Sequence, residues 1–135
     1  MNAYEPGEGI LPHQDGPFYH PAVAIVSLGA SAVLEFTPHA SLLDAASASD
    51  EAPPPVVRVF VPRRSLLLFA HDAYERYLHG IPAMLEDDVG GAASGVCNPH
   101  DAGGSGGAVR RDALRVSLTC RSVLKVRRNL LPTRA

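Results

Sequence analysis

The sequence predicts a mainly β fold of antiparallel strands, arranged as a sandwich or a barrel-like jelly roll. Short runs of β-branched and apolar residues recur along the 135-residue chain, and 12 glycines and 12 prolines supply turn signals between them. The run Leu114–Arg121 alternates strictly between apolar and polar residues, which is the period of a half-buried strand. Few stretches show the period of a helix. Several short strands separated by turns are typical of antiparallel sandwiches and jelly rolls.

Four of the predicted strands lie in the first half of the chain and suggest two pairs. The apolar runs Ala22–Leu28 and Ser31–Phe36 follow one another with only Gly29 and Ala30 between them. A short link that begins with glycine predicts a hairpin. The runs Val56–Val61 and Ser65–Phe69 flank a Pro-Arg-Arg turn and predict a second hairpin.

Two long segments are predicted as loop insertions. Residues 39–55 are rich in Ala, Ser and Asp and contain three consecutive prolines. Residues 86–110 begin with three acidic residues and continue with many glycines, which leaves few apolar side chains to bury. Segments of that composition gain little from ordering, so we expect both to be flexible loops. The surrounding domain is predicted to span residues 1–128, with a tail at residues 129–135.

Composition narrows the class of protein. Apolar residues make up 46% of the chain, as in a globular domain, and the net charge of −2 gives no overall attraction to nucleic acid or to membranes. The two cysteines, Cys97 and Cys120, lack the spacing of a disulfide framework and indicate reduced thiols in an intracellular compartment. No signal peptide and no transmembrane-length apolar run is evident. We therefore expect an intracellular monomer in the nucleus, the cytoplasm or both, without a membrane partner.

The chemistry of the chain centres on His13 and Asp15. Residues two apart in an extended segment point to the same side, roughly 7 Å apart along the backbone. The pair can therefore offer two ligands to one divalent metal. Two histidines and one carboxylate form the facial triad of non-haem iron oxygenases, which leaves open coordination positions. His79, on an apolar strand-like run and followed by a glycine that permits close backbone approach, is the third candidate. The alternative is that His79 is a hydrogen-bonded core histidine.

Arginines on the C-terminal strand provide a second signal. Arg115, Ser117, Thr119 and Arg121 fall on one face of Leu114–Arg121, and no acidic residue alternates with them. A guanidinium that faces a fold interior needs an anionic partner. The spacing of the two arginines suits a five-carbon dicarboxylate such as 2-oxoglutarate. The alternative is a polar strand face that points to solvent. The side chains of Asn2 and Tyr4 can also hydrogen-bond a carboxylate or keto group.

Taken in order, these motifs resemble the AlkB family of Fe(II)- and 2-oxoglutarate-dependent dioxygenases. The resemblance covers nearly the whole chain apart from the two insertions. The matching segments are Asn2-Ala-Tyr4, Pro6-Gly7, His13-Gln-Asp15-Gly16, Ile25–Gly29, His79-Gly-Ile81 and Arg115–Arg121.

The resemblance implies a double-stranded β-helix, or jelly roll, that binds Fe(II) and uses 2-oxoglutarate and O2 as cosubstrates. It implies iron ligands at His13, Asp15 and His79. It also implies cosubstrate contacts at Asn2, Tyr4, Arg115, Ser117 and Arg121, with Arg121 near the metal-side carboxylate. Ser117 stands where many AlkB-like proteins have Asn. We expect the N-terminal lid that recognises nucleotides in this family to be missing.

The implied reaction is oxidative hydroxylation that leads to dealkylation, with an alkylated nucleic acid or protein as substrate. Oxidative decarboxylation of 2-oxoglutarate to succinate and CO2 would accompany it. The main alternative is a truncated, inactive metal-binding β-sandwich that acts as a binding module. A hydrolase that uses His13 and Asp15 as a base pair is less favoured, since no Ser or Cys nucleophile occurs in a recognisable context.

Overall fold

A computed structural model of the protein describes residues 1–49, 51–103 and 107–125. Most of the regular structure is β, and two four-stranded antiparallel sheets face each other across a common apolar core. Among the described strands the two sheets do not close into a barrel. The predicted mainly β, jelly-roll-like fold is confirmed.

The first sheet has the strand order β1, β10, β3, β6. Its members are β1 (Asn2–Tyr4), β10 (Arg115–Val123), β3 (Tyr19–Gly29) and β6 (Ser65–Ala70). Strand β3 alternates between buried and more exposed residues, so that Val23, Ile25 and Ser27 face the core. The predicted strand at the C-terminal end of the chain is confirmed as β10.

The second sheet has the order β2, β7, β4, β5. Its members are β2 (Ile10–His13), β7 (Tyr77–Ile81), β4 (Ala32–Pro38) and β5 (Val57–Val61). Leu34, Phe36 and Ile81 point from this sheet into the core and meet Val23 and Phe69 of the first sheet. The core therefore lies between the sheets and is bounded on one side by the strands that carry the candidate ligands.

Both predicted hairpins are wrong, although all four of their strands exist. Strands β3 and β4 belong to different sheets, and so do β5 and β6. The edges of β3 are already paired with β10 and β6, so β4 has no free edge to join. The chain instead crosses from one sheet to the other after Gly29, and each strand covers the core from its own side. Local turn signals cannot distinguish this arch from a hairpin.

The loop predicted at residues 39–55 is wrong for most of its length. The structure has helix α1 (Ala40–Ser49) there, and a short helix α2 (Asp72–Glu75) precedes β7. Leu42 and Ala46, one helical turn apart, are buried on α1. His39 caps the helix through Nδ1, which accepts a hydrogen bond from the Ser41 amide at 3.2 Å. An Ala-rich segment has high helix propensity, and this outweighed the turn signal of the prolines that follow it.

The insertion at residues 86–110 is also more ordered than predicted. It forms a two-stranded sheet of β8 (Glu86–Asp88) and β9 (Ala108–Arg110), with 3₁₀ turns at Ala92–Ser94 and Pro99–Ala102. Val89 and Val96 pack against Val33 and Phe60 and form a second apolar cluster. Asn98 seals the edge of β5, because its side-chain amide exchanges two 2.8 Å hydrogen bonds with the backbone of Phe60. The insertion is therefore a packed cover on the outer face of the second sheet.

Three further predictions concern the rest of the chain. The predicted tail at residues 129–135 and the domain boundary at residue 128 lie outside the described residues. Cys97 and Cys120 are free and exposed. In the part of the chain that the structure describes, the longest helix is far too short and too weakly apolar to cross a bilayer.

Candidate metal centre and anion pocket

Strand pairing brings the two candidate histidines together. His13 on β2 lies directly opposite His79 on β7, and their ring centroids are 4.4 Å apart. The strands approach closely because position 80 is glycine: a Cβ there would lie 2.9 Å from both the Ile10 carbonyl oxygen and the Pro12 nitrogen. The close backbone approach predicted from this glycine is confirmed. Asp15 completes the group, since one ligating atom from each of the three residues lies within 4.8 Å of the others.

Gln14, which lies between His13 and Asp15, fixes the direction of these two side chains. The side-chain amide of Gln14 donates to the carbonyl oxygens of Glu75 at 2.7 Å and Tyr74 at 3.3 Å. With Gln14 anchored towards α2, the flanking His13 and Asp15 turn to the opposite side. His13 Nδ1 lies 2.9 Å from the Leu11 carbonyl oxygen and donates its N–H to it. This hydrogen bond leaves Nε2 of His13 as the ligating atom.

His79 lies deeper than the other two candidate ligands. It is 5% exposed and packs against the rings of Phe69 and Phe36, with centroid distances of 5.0 Å and 6.4 Å. Burial, together with the nearby His13, lowers the pKa of His79 from 6.5 to about 4. The imidazole is therefore neutral at physiological pH, and neutral imidazole is the form that binds a metal.

Arg121 holds the third candidate ligand. Its Nε donates to Asp15 Oδ2 at 2.7 Å and its Nη2 lies 2.6 Å from Oδ1, which is a two-point ion pair. The Asp15 side chain is only 6% exposed. The Arg121 guanidinium also lies over the ring of Tyr19, 5.5 Å from its centroid. Arg121 thus lies beside the candidate metal ligands.

The polar face of β10 turns inward at Arg115 and Ser117, while Leu118 and Cys120 face outward. Arg115 and Ser117 are buried, at 4% and 3% exposure, so a solvent-facing polar strand is excluded for these two residues. Arg115 Nη2 donates to Ser27 Oγ at 2.8 Å. Its Nε and Nη1 are buried and have no hydrogen-bond partner among the described residues. Burial lowers the pKa of Arg115. A buried guanidinium with two unpaired donor atoms is a strong site for an anion.

Strand β1 adds the other predicted cosubstrate residues to this pocket. Asn2 is opposite Ser117, and Tyr4 is opposite Arg115, in the antiparallel pairing of β1 with β10. The Arg115 guanidinium lies 5.6 Å from the centroid of the Tyr4 ring. One cavity contains all five predicted cosubstrate residues and both candidate histidine ligands. Its lining includes Asn2, Tyr4, His13, His79, Arg115, Ser117, Thr119 and Arg121.

A second, more open groove adjoins Asp15 on the outer side. Gln14, Pro17, Tyr19 and Tyr74 line it together with Asp15. The Tyr74 hydroxyl donates to the Gly16 carbonyl oxygen at 3.1 Å and holds the chain just after Asp15. The three candidate ligands therefore lie between an inner anion pocket and a groove that opens to solvent.

Ser27 and Gln14 contribute to the site but were given no role from sequence. The available signal for Ser27 was a polar residue at an inward position of an otherwise apolar strand. Gln14 gave no local signal, because its partners are the backbone oxygens of residues 60 and 61 positions away. Of the remaining histidines, His20, His71 and His100 are exposed and lie outside the ligand group, as predicted.

Comparison with known proteins identifies relatives of the sequence. The chain is 37% identical to the probable RNA/DNA demethylase ALKBH6 of Danio rerio over 126 residues, which are 93% of this chain and 53% of that protein. It is 29% identical over 126 residues to the uncharacterized protein L905 of Acanthamoeba polyphaga mimivirus, across 93% of this chain and 47% of the relative. The chain therefore spans about half the length of these two relatives. No protein-family profile matches the sequence.

A third relative matches a shorter part of the chain. The tRNA (carboxymethyluridine(34)-5-O)-methyltransferase alkbh8 of Xenopus tropicalis is 33% identical over 91 residues, which are 66% of this chain and 12% of that protein. The Pro-His-Gln-Asp-Gly-Pro context of His13 and the segment Pro62–Leu66 also point towards the sixth AlkB homologue, in agreement with the zebrafish relative. The resemblance seen in the motifs is therefore confirmed: the chain is similar to one AlkB homologue over 93% of its length and to a second over 66%.

Proposed function

We propose that this chain forms the core of an Fe(II)- and 2-oxoglutarate-dependent dioxygenase of AlkB type, which hydroxylates and so removes an alkyl group from an alkylated nucleic acid. The observation that carries the proposal is that His13 and His79, which form a ligand group with Asp15, line the same cavity as the buried Arg115. The name of the zebrafish relative, a probable RNA/DNA demethylase, favours a nucleic acid as substrate over a protein.

The donor set fits iron. Two imidazoles and one carboxylate are the facial triad of non-haem Fe(II) oxygenases, and three protein ligands leave positions open. A structural zinc site is normally closed by four protein ligands. Among the described residues, the ligand group contains only three His, Cys, Asp or Glu side chains. Iron bound there would supply the activation of O2 that hydroxylation needs. The chain's own residues would hold the metal and orient the cosubstrate.

The donors that line the anion pocket support a dicarboxylate ligand. Arg115 Nε and Nη1 would donate to the distal carboxylate, and Tyr4, Asn2 and Ser117, which line the same cavity, would orient the ligand. Because Arg115 is buried, these hydrogen bonds form away from competing water and are charge-assisted. Arg121 orients Asp15 by a two-point pair. The outer groove beside Asp15 remains for the alkylated substrate.

Metal titration of purified variants tests the ligand assignment. His13→Ala, Asp15→Ala and His79→Ala should each abolish stoichiometric Fe(II) binding, because each removes one of three ligands. His20→Ala and His71→Ala are matched controls at exposed positions and should bind Fe(II) like the parent protein. Loss of binding in His71→Ala with retention in His79→Ala would overturn the assignment.

Turnover of 2-oxoglutarate distinguishes the dioxygenase from the binding-module alternative. With Fe(II), 2-oxoglutarate and O2, an oxygenase releases succinate, whereas Zn(II) in the same site supports no turnover, since zinc has no redox chemistry. Succinate release should be measured beside demethylation of a panel of methylated DNA and RNA oligonucleotides. Stoichiometric metal binding without succinate under any of these conditions would favour the binding module.

A further inference from the structure

A buried ion pair outside the metal centre joins the insertion to the rest of the fold. Arg111 donates from Nε to Asp87 Oδ2 at 2.7 Å and from Nη2 to Asp87 Oδ1 at 2.6 Å. The side chains are 6% and 0% exposed. Breaking such a pair leaves an uncompensated buried charge, which is strongly destabilising. The two side chains therefore hold one fixed geometry.

The same guanidinium extends towards the segments that carry the metal ligands. Its Nη1 donates to the Pro82 carbonyl oxygen at 2.7 Å and lies 3.5 Å from the Glu8 carbonyl oxygen. Pro82 directly follows β7, the strand of His79. Glu8 lies in the loop between β1 and β2, the strands of Tyr4 and His13. One side chain thus contacts the connections of three strands that line the site.

The β1–β2 loop has little room to move independently of those contacts. A Cβ added at Gly9 would lie 2.1 Å from the Ile81 carbonyl oxygen, so the loop backbone rests directly on the end of β7. The loop is also closed on itself, since the Glu5 amide donates to Glu8 Oε2 at 2.8 Å. A shift of this loop would move Tyr4 at one end and Ile10 at the other.

The charge of the ion pair also matters for the anion pocket. Arg111, Arg115 and Tyr4 are among the residues that line one small cavity. Two unneutralised guanidiniums around one small space would repel each other, but Asp87 neutralises Arg111. Arg115 is left as the guanidinium with unpaired donors facing the site.

We propose that the Asp87–Arg111 pair is a positioning device for the anion pocket: it holds the β1–β2 loop against the end of β7 and so sets Tyr4 and Asn2 beside Arg115. Neither residue touches the metal ligands or the cosubstrate residues through a hydrogen bond. This inference rests on the proposed function for what the pocket binds, but the clamp itself belongs to the metal-free fold. It gives the insertion a role in the site as well as in covering the second sheet.

The test compares two ion pairs: the Asp87–Arg111 pair at the insertion and the Glu35–Arg58 pair on the second sheet. Arg111→Met removes the clamp. The more conservative Arg111→Lys weakens it, since the lysine ammonium is a point charge that cannot make all four contacts of the Arg111 guanidinium, with the two Asp87 oxygens and the carbonyl oxygens of Pro82 and Glu8. The control is Arg58→Met, which breaks the pair of Arg58 with Glu35 on the outer face of the second sheet. Arg58 also bonds the insertion, through the Ser94 carbonyl oxygen, but not the β1–β2 loop.

Three quantities are measured: Mn(II) affinity, 2-oxoglutarate affinity in the presence of Mn(II), and amide hydrogen exchange of residues 2–13 in the metal-free protein. We expect Arg111→Met to weaken 2-oxoglutarate binding by about tenfold or more, equivalent to about 1.4 kcal/mol. Mn(II) affinity should change much less, because the ligands themselves remain. Exchange at residues 2–13 should be faster, and Arg111→Lys should lie between Arg111→Met and the parent protein. Arg58→Met should change neither binding constant.

Several results would overturn the inference. Parent-like 2-oxoglutarate affinity in Arg111→Met would show that the loop needs no clamp. Equal losses in Arg111→Met and Arg58→Met would show a general loss of stability. If Arg111→Met does not fold, Arg111→Lys and Asp87→Asn carry the same comparison. If the parent protein binds neither Mn(II) nor 2-oxoglutarate, the proposed function is wrong, and hydrogen exchange alone then decides whether the clamp exists.

Discussion

Arg115 illustrates a conflict between fold and site at the scale of a single residue. Its guanidinium is buried, yet only one of its three nitrogens has a hydrogen-bond partner among the described residues, the hydroxyl of Ser27. A buried donor without a partner costs about 1–3 kcal/mol, and more when it is charged. In the absence of an anion, Arg115 should therefore destabilise the fold that holds it. Such a conflict is expected where a residue serves a ligand.

Replacing Arg115 with Leu should accordingly lower ligand affinity without lowering the stability of the metal-free protein. The affinity for 2-oxoglutarate should fall at least roughly tenfold, because a hydrogen bond to a charged group contributes about 1.5–3 kcal/mol. The thermal stability of the metal-free protein should stay the same or rise, because the unpaired donors are gone. Calorimetry with Mn(II) under anaerobic conditions and a melting curve measure the two effects. Unchanged affinity with lower stability would make Arg115 a structural residue.

The pKa of His79 predicts a pH dependence of stability in the metal-free protein. An unfolded histidine titrates near pH 6.5, whereas burial and His13 lower the pKa of folded His79 to about 4. Between these two pH values the unfolded chain binds more protons, so stability should fall as the pH drops from about 6.5 and level off near 4. Denaturant unfolding across this range should show a shallower dependence for His79→Gln than for the parent protein. His71→Gln, at an exposed position, should keep the parent slope. Identical pH dependence of stability in the parent protein, His79→Gln and His71→Gln would contradict the lowered pKa of His79.

The candidate site residues that could be recognised from sequence are those whose chemistry is unusual for their position. His13, Asp15, His79 and Arg115 stand out because metal ligands and an inward arginine need partners that their neighbours do not supply. Gln14 and Arg111 were missed for the opposite reason. An amide or an arginine at the surface of a loop looks ordinary until its partner is known, and the Arg111 contact with Glu8 joins residues 103 positions apart. Long-range pairing of common residues leaves no local pattern.

At the scale of elements, strands were predicted better than their connections or the insertion. Runs of β-branched and apolar residues between turn signals predicted β3, β4, β5 and β6, and period-two alternation predicted β10. The insertion was missed because its average composition is polar and glycine-rich, whereas its packing depends on only a few side chains. Val89 and Val96 are 1% and 6% exposed and meet Val33 and Phe60 of the second sheet. The average composition of residues 86–110 does not reveal that two of them, Val89 and Val96, are buried.

Shortening those valines tests whether the insertion stabilises the fold. Val89→Ala should lower the free energy of unfolding by about 2 kcal/mol, since each buried methyl-sized group contributes about 0.8 kcal/mol and the cavity adds to the loss. Val56→Ala, at a residue that is 49% exposed, is the matched control and should have almost no effect. Urea unfolding measures both. Equal, small effects would mean that the insertion does not pack on the sheet in solution.

At the scale of the whole molecule, the site exists because two sheets present different chemistry to one cavity. The second sheet supplies His13 and His79, and the first supplies Tyr4 and Arg115. The pair of Asp15 with Arg121 then joins residues 106 positions apart. Periodicity alone predicts the faces of these strands but not which sheet each joins. The family resemblance grouped these residues into one site but did not assign the strands to their sheets, and both predicted hairpins were wrong.

The first sheet also presents an apolar outer face. Leu66 opposes Val26, which in turn opposes Leu118, and Leu68 opposes Ala24 beside Cys120, so apolar side chains continue across three strands. Leu66 and Leu68 are 60% and 69% exposed. Strand β6 is the edge of this sheet and carries no charged residue. An uncharged apolar edge strand favours self-association.

Replacing Leu66 and Leu68 together with Lys should reduce that tendency without harming the fold. Both side chains point outward, so the charges remain in solvent, and binding of an apolar dye and light scattering at high protein concentration should both fall. The melting temperature and Mn(II) affinity should stay near those of the parent protein. Leu67→Lys is the matched control on the same strand: Leu67 faces inward and packs against the core, so its replacement should lower the melting temperature markedly. If Leu66→Lys with Leu68→Lys destabilises the protein as much as Leu67→Lys does, the outer face is not free in solution, and β6 must pack against something on both sides.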